Sequence, residues 1–208
     1  IWIDIGEVIA VADQMGWERF ALLGHSRGAV ISGLIAGTFP DRITQVALID
    51  GYVPRPHDAD SAVKQVKQAI RESKRFGGSS PTYFSDFDRA IQARVNGFVP
   101  LQLEAATLLA SRGVVEGPKG YYWANDQRLK AASFVKFSKE HLEGFFTAIL
   151  ARVLLIQAEN SPFSPDRQQS EFFGWVPHMQ IKKMPGSHNL HLEDEAEQVA
   201  KTIQEFFV

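Results

Sequence analysis

A serine stands between two glycines in Gly24-His25-Ser26-Arg27-Gly28, after the apolar run Phe20-Ala21-Leu22-Leu23 and before a segment with helical spacing. Strand, tight turn and helix with a serine at the apex is the arrangement of a nucleophile elbow. The turn holds the serine in a strained backbone conformation, and flanking residues with a Cβ are expected to clash there. The helix beginning beside the serine aims its free amides and positive dipole end at the space next to Oγ. An anionic intermediate would sit in that space, with the backbone N–H of Arg27 as an oxyanion donor. The alternative reading is a strand-to-helix crossover with an incidental serine.

A serine hydroxyl is a poor nucleophile at its own pKa and needs an adjacent base. The chain has six histidines. His25 lies inside the turn and is expected to shape it. His57, His141 and His178 fall in loop or cap contexts with nothing that points to chemistry. His188 and His191 lie in Pro185-Gly186-Ser187-His188-Asn189-Leu190-His191, the loop after the last expected strand. That loop belongs to the carboxyl edge of a parallel sheet, where open α/β sheets place their sites. His188 follows Gly186-Ser187, where the chain can bend sharply, and is the expected base. His191 reads as a packed or surface histidine at the start of the final helix.

The base needs a carboxylate to fix its tautomer and stabilise the imidazolium. Asp50 ends the strand that follows the nucleophile helix, on the same sheet edge as Ser26, and is the favoured acid. An aspartate at a strand end can also merely cap a turn. Glu159, in the loop after Gln157, is the rival carboxylate, and Asp166 lies further on.

These residues require an α/β scaffold. Ile5, Val8, Ile9, Ala12 and Met15 recur at helical spacing. Arg19 to Leu23 reads as a strand that is apolar on both faces, as for a central parallel strand covered by helices on each side. Val30, Ile31, Leu34 and Ile35 form the next helix, and Gln45 to Ile49 the next strand, giving a βαβ unit with a right-handed crossover. From Tyr52 to Leu150 only helices are expected, over Ser61–Phe76, Asp86–Val95, Leu101–Ser111 and Ser138–Leu150, with Gly113–Gly120 as a loop. Strands resume at Arg152–Gln157 and, half-exposed or at an edge, at Met179–Met184. Pro165–Phe173 reads as a short helix. The last helix carries Ala196, Val199, Ala200, Ile203 and Phe206 on one face. The expected organisation is therefore a core from residues 1–51 and 151–208, with a helical cap at 52–150.

The 208 residues are 45% hydrophobic and 22% charged with a net charge of -2, ample for a globular core. The near-balance of acidic and basic residues and the lack of a basic block argue against nucleic acid. The absence of cysteine excludes disulfides, thiolate metal sites and cysteine nucleophiles. No apolar run reaches the about 20 residues of a membrane span, and no signal peptide is visible in residues 1–12. A cytoplasmic location is expected, with no cofactor and no metal.

The chain resembles the α/β-hydrolase superfamily, and within it the serine hydrolase-like proteins. The resemblance rests on Gly-His-Ser-Arg-Gly-Ala at 24–29, Phe39-Pro40-Asp41-Arg42, Val46-Ala47-Leu48-Ile49-Asp50 and Pro185 through Glu193, in that order. It implies that the four strands are the fifth to eighth of an eight-stranded sheet, that the insertion is the lid, and that Ser26 and His188 are nucleophile and base. It departs from the family pattern in three places. The usual position of the acid, after the seventh strand, matches Ser161; some relatives instead take the acid from the end of the sixth strand, where Asp50 sits. Arg27 stands where many relatives carry an apolar residue or glutamine, and its side chain is expected either to meet an acidic substrate group or, the favoured reading, to form a salt bridge under the cap. The first four strands, with the loop that supplies the second oxyanion donor, are not in the sequence, so the natural protein is expected to be longer or to have this part as a separate piece. The expected activity is hydrolysis of an ester or related acyl substrate, a small molecule, through Ser26, His188 and Asp50. The alternatives are a non-catalytic hydrolase-like binding domain, or a carbon–carbon bond hydrolase or aminopeptidase using the same triad. Tyr121, Tyr122 and Trp123 are candidate pocket-lining residues.

Overall fold

The structure, a computed structural model, describes residues 2–163 and 169–208, with Gln169 and Ser170 described by their backbone. It divides into two compact units, Ile1–Asp58 with Phe137–Val208, and Ala59–Lys136. In the first unit the elements run α1 (Trp2–Gln14), β1 (Phe20–His25), α2 (Arg27–Thr38) and β2 (Ile43–Ile49). After the second unit they continue with α6 (Lys139–Thr147), β5 (Arg152–Ala158), β6 (Gln180–Met184) and α7 (Ala196–Phe207). The four strands form one parallel sheet in the order β1-β2-β5-β6.

The period of two along each central strand divides the core. Val46 and Leu48 of β2, with Val153 and Leu155 of β5, pack on one face with Ile5 of α1, Leu34 and Ile35 of α2, and Phe146 of α6. Ala47 and Ile49, with Leu154 and Ile156, pack on the other face with Val199 and Phe206 of α7. Such strands, apolar on both faces, are what a parallel sheet covered by helices on each side requires. α6 lies so close to α2 that a Cβ on Gly33 would overlap the Phe146 ring.

β1 is an edge strand among the described residues, and its alternate residues Ala21 and Leu23 are exposed, Leu23 at 55%. The alternating segment near Met179 is the other edge strand, β6, with four of its five residues exposed. The helix expected from Pro165 begins outside the described residues, as does Asp166; Gln169–Trp175 is a 3-10 helix.

The second unit holds α3 (Ala62–Gly77), α4 (Phe87–Val95) and α5 (Leu103–Gly113), followed by an antiparallel hairpin of β3 (Val114–Gly117) and β4 (Gly120–Trp123). The hairpin corrects the expectation of helices and loops alone. Val114, Val115 and the aromatic run Tyr121–Trp123 favour a pleated surface. Gly120, at φ 110, takes a turn conformation that side chains resist. The two-residue link Pro118-Lys119 lacks the Asn-Gly or Asp-Gly signal that marks most such hairpins.

Candidate active site

Ser26 sits where β1 passes into α2, with φ 53 and ψ −116, at the N-cap position of the helix. A serine at an N-cap normally spends its hydroxyl on the helix amides, but Ser26 makes no side-chain cap bond. Its backbone does that work instead: its carbonyl accepts from the amides of Ala29 and Val30 at 3.0 and 3.2 Å. Its own N–H donates to the Ile49 carbonyl of β2 at 2.9 Å. Arg27 is the first residue of α2, so its amide has no acceptor within the helix.

The two flanking glycines are not equivalent. A Cβ on Gly24 would collide with the Gly28 carbonyl, whereas a Cβ on Gly28 would meet nothing. The expectation that both positions exclude a side chain holds only for Gly24. The second crowded position is Gly51, where a Cβ would strike the Ser26 carbonyl. Gly51 is invisible to a reading of the pentapeptide because it approaches Ser26 across the sheet.

Asp50 and His188 meet in the interior. His188 Nδ1 donates to Asp50 Oδ2 at 2.6 Å, and the two residues are 5% and 7% exposed. The other carboxylate oxygen, Oδ1, accepts from the Ala158 amide at 3.0 Å, and the Asp50 amide donates to the Ile156 carbonyl at 2.8 Å. Asp50 itself has φ 43, a left-handed conformation that costs a non-glycine residue of order 1–3 kcal/mol. The sequence carries no mark of this second strained residue. With the proton of His188 on Nδ1, its Nε2 holds the lone pair. No hydrogen bond joins Ser26 and His188 among the described residues.

Two further imidazoles, those of His25 and His191, gather beside this pair. His25 Nε2 donates to the His188 carbonyl at 2.8 Å, tying the end of β1 to the loop after β6. The His25 ring lies 4.6 Å from that of His188 and 4.1 Å from that of His191. Burial lowers the pKa of His25. Burial, followed by repulsion from His25 and His188, pushes His191 down to about 4. Nδ1 of His191 is buried without a hydrogen-bond partner among the described residues. His178 is held by the Ala151 carbonyl and His141 by Ser138. Glu159 is exposed, and Ser161 Oγ accepts from the Phe163 amide.

Beside Ser26 is a cavity of about 540 Å³, lined by residues of the first unit. Val30, Val53, Phe172 and Phe173 make its apolar wall, and Ser26, Asp50, Gln157, Arg27 and Arg55 bring polar groups to it. The Tyr52 hydroxyl donates to the Phe172 carbonyl at 3.3 Å, and burial raises its pKa well above the usual phenol value. Arg27 binds Asp4 of α1 at 2.6 Å. Arg55 was not singled out by its sequence context. Tyr121, Tyr122 and Trp123 belong to the second unit. They pack within it, where Trp123 Nε1 donates to the Ala90 carbonyl and Tyr122 stands against Tyr83. Among the described residues no group of three or more histidine, aspartate or glutamate side chains could hold a metal, and no helix is long and apolar enough to cross a membrane.

A strained serine at a strand-to-helix turn, at the edge of a parallel sheet from which a buried Asp–His pair also projects, is a hydrolase-type arrangement. The chain belongs to the alpha/beta hydrolase fold family, whose profile matches residues 4–195. It is similar to a hypothetical protein from Pseudomonas aeruginosa PAO1, at 36% identity and a TM-score of 0.92, over 99% of this chain and 73% of that one. It is also similar to "Serine hydrolase-like protein 2" of Homo sapiens, 26% identical over 97% of this chain and 69% of that protein. "Serine hydrolase-like protein" of Danio rerio is 20% identical over 97% of this chain, which spans 64% of that protein's length.

Proposed function

We propose that the protein is a serine hydrolase acting on an ester or thioester. The observation that carries this reading is the buried pair of His188 and Asp50 at 2.6 Å, at the sheet edge where Ser26 is held in a strained turn with its hydroxyl uncommitted. Strain of this kind persists only where the surroundings impose it, and it clusters at functional sites. Ser26 Oγ attacks the acyl carbon while its proton passes to Nε2 of His188. The carbonyl π electrons move to the oxygen, and the oxyanion takes the Arg27 amide at the positive end of α2. The tetrahedral intermediate collapses, and His188 returns the proton to the departing alkoxide or thiolate. Water, deprotonated by His188, then attacks the acyl-enzyme, and collapse of the second intermediate releases the acid and restores Ser26. Throughout, Asp50 holds the Nδ1 proton and offsets the imidazolium charge.

The test is labelling of the full-length protein with a fluorophosphonate. Covalent modification of Ser26, abolished by Ser26→Ala, is the expected result. A folded protein that takes no label would instead be a hydrolase-like binding domain.

A further inference from the structure

Two polar groups at the cavity beside Ser26 have no part in the acyl-transfer chemistry. The first is Gln157. Along β5, Val153 and Leu155 face α2, so the period of two turns Gln157 to the same side, where it lines the cavity next to Leu155. It is 7% exposed, and its Oε1 is buried with no hydrogen-bond partner among the described residues. Its neighbours on β5 are Leu154, Leu155, Ile156 and Ala158, among which a leucine would pack with no polar group to satisfy. An unmade hydrogen bond in such a place is costly, and the amide can present either its oxygen or its nitrogen by a flip of its end.

The second is Arg55. It lines the same cavity, is exposed, and has no acidic partner among the described residues. The other guanidinium there, Arg27, is committed to Asp4, and the carboxylate there, Asp50, is occupied by Ala158 and His188. Among the described residues, the cavity thus carries one guanidinium with no acidic partner and one amide oxygen with no hydrogen-bond partner. Its volume of about 540 Å³ suits a small ligand.

Resting on the serine-hydrolase reading, we propose that the acyl group taken here carries a second, ionised carboxylate, so that the substrate is a monoester or monothioester of a dicarboxylic acid. Arg55 pairs with that carboxylate through the planar fork suited to it. Gln157 makes a hydrogen bond to a polar atom of the same substrate.

The test compares mono-p-nitrophenyl glutarate with p-nitrophenyl pentanoate, matched in acyl length and differing in the charged end, on the full-length protein. kcat/KM is expected to favour the glutarate by about tenfold or more, the size of one charge-assisted hydrogen bond. Arg55→Gln should bring the ratio close to one, Arg55→Lys should restore part of it, and added salt should lower it, because an exposed charge is screened. Gln157→Leu should raise KM for the glutarate. A wild-type ratio near one, or a ratio that Arg55→Gln does not move, overturns the proposal.

A binding measurement separates this proposal from the hydrolase reading. Calorimetry of the Ser26→Ala protein with monomethyl glutarate and dimethyl glutarate should show the charged ligand binding about tenfold more tightly, through Arg55. That preference without turnover of any ester refutes the hydrolase reading alone. Turnover without preference refutes the carboxylate proposal alone. Neither turnover nor preferential binding refutes both.

Discussion

Asp50→Asn is the most informative single change, because the two carboxylate oxygens have different partners. Oδ1 accepts the Ala158 amide at 3.0 Å and Oδ2 accepts Nδ1–H of His188 at 2.6 Å. Asparagine keeps the volume but has one acceptor, and the Ala158 amide, a fixed donor, claims it. The NH₂ group then faces Nδ1 of His188, and two donors oppose each other unless the imidazole moves its proton to Nε2. In that tautomer Nε2 cannot take the Ser26 proton. The wrong tautomer in such a triad lowers kcat by about 10⁴, or about 5 kcal/mol in the barrier at 1.36 kcal/mol per decade. The assay is the pre-steady-state release of p-nitrophenolate from p-nitrophenyl butyrate by the full-length protein, with a thermal melt to verify folding. Glu159→Gln is the control: that side chain is exposed, and its removal should leave the rate at the wild-type level. Retention of activity in Asp50→Asn to within about tenfold would refute the reasoning, and a collapse in Glu159→Gln instead would move the acid to that residue.

The strain at φ 53 makes Ser26→Gly more stable than Ser26→Ala; a relief of about 1 kcal/mol raises Tm by about 2–4 °C in a protein of this size, read by calorimetry. The glycines should separate sharply in chemical denaturation. Gly24→Ala must displace the Gly28 carbonyl and is expected to lose about 2 kcal/mol or more. Gly28→Ala, in open space within α2, should be neutral or gain up to about 1 kcal/mol from helix propensity. His191 binds a proton near pH 6.5 when unfolded and near 4 when folded, so the unfolded state takes up more protons between these values. Stability should therefore fall as pH drops through that window, and His191→Gln should flatten the dependence of the urea midpoint on pH.

The elbow could be read from residue types because its constraints are local: a serine at a strand-to-helix turn and a glycine at Gly24 are needed for reasons within a few residues. The central strands were equally legible, since Val46–Ile49 and Val153–Ile156 are apolar on both faces. The approach of Gly51 to Ser26, the pairing of Arg27 with Asp4 and the place of Arg55 at the cavity are contacts across the fold, which no local pattern encodes. The β3–β4 hairpin escaped because Pro118-Lys119 is a weak turn signal, although Gly120 and the aromatic run fit it afterwards.

The placement of Asp50 follows from how the strand ends are joined. Where each strand stops, the next amides reach across to the neighbouring strand: Ser26 N–H to Ile49, Asp50 N–H to Ile156, and Glu159 N–H to Met184. Position follows position across β1, β2, β5 and β6, so each residue just past a strand end is fixed by the sheet and not by its loop. At Asp50 the left-handed backbone then turns the side chain sideways, over the end of β5, where Oδ1 takes the Ala158 amide. A carboxylate rooted on β2 thereby occupies the ground above β5 and presents its second oxygen to His188. Ser161, in the loop after β5, is left with no carboxylate to supply and spends its hydroxyl on the Phe163 amide. The cost is a strained residue at position 50, and the return is a carboxylate with both oxygens satisfied by groups anchored to the sheet or to the loop held against it. Rigid support of this kind keeps such a constellation within the few tenths of an ångström that proton transfer needs.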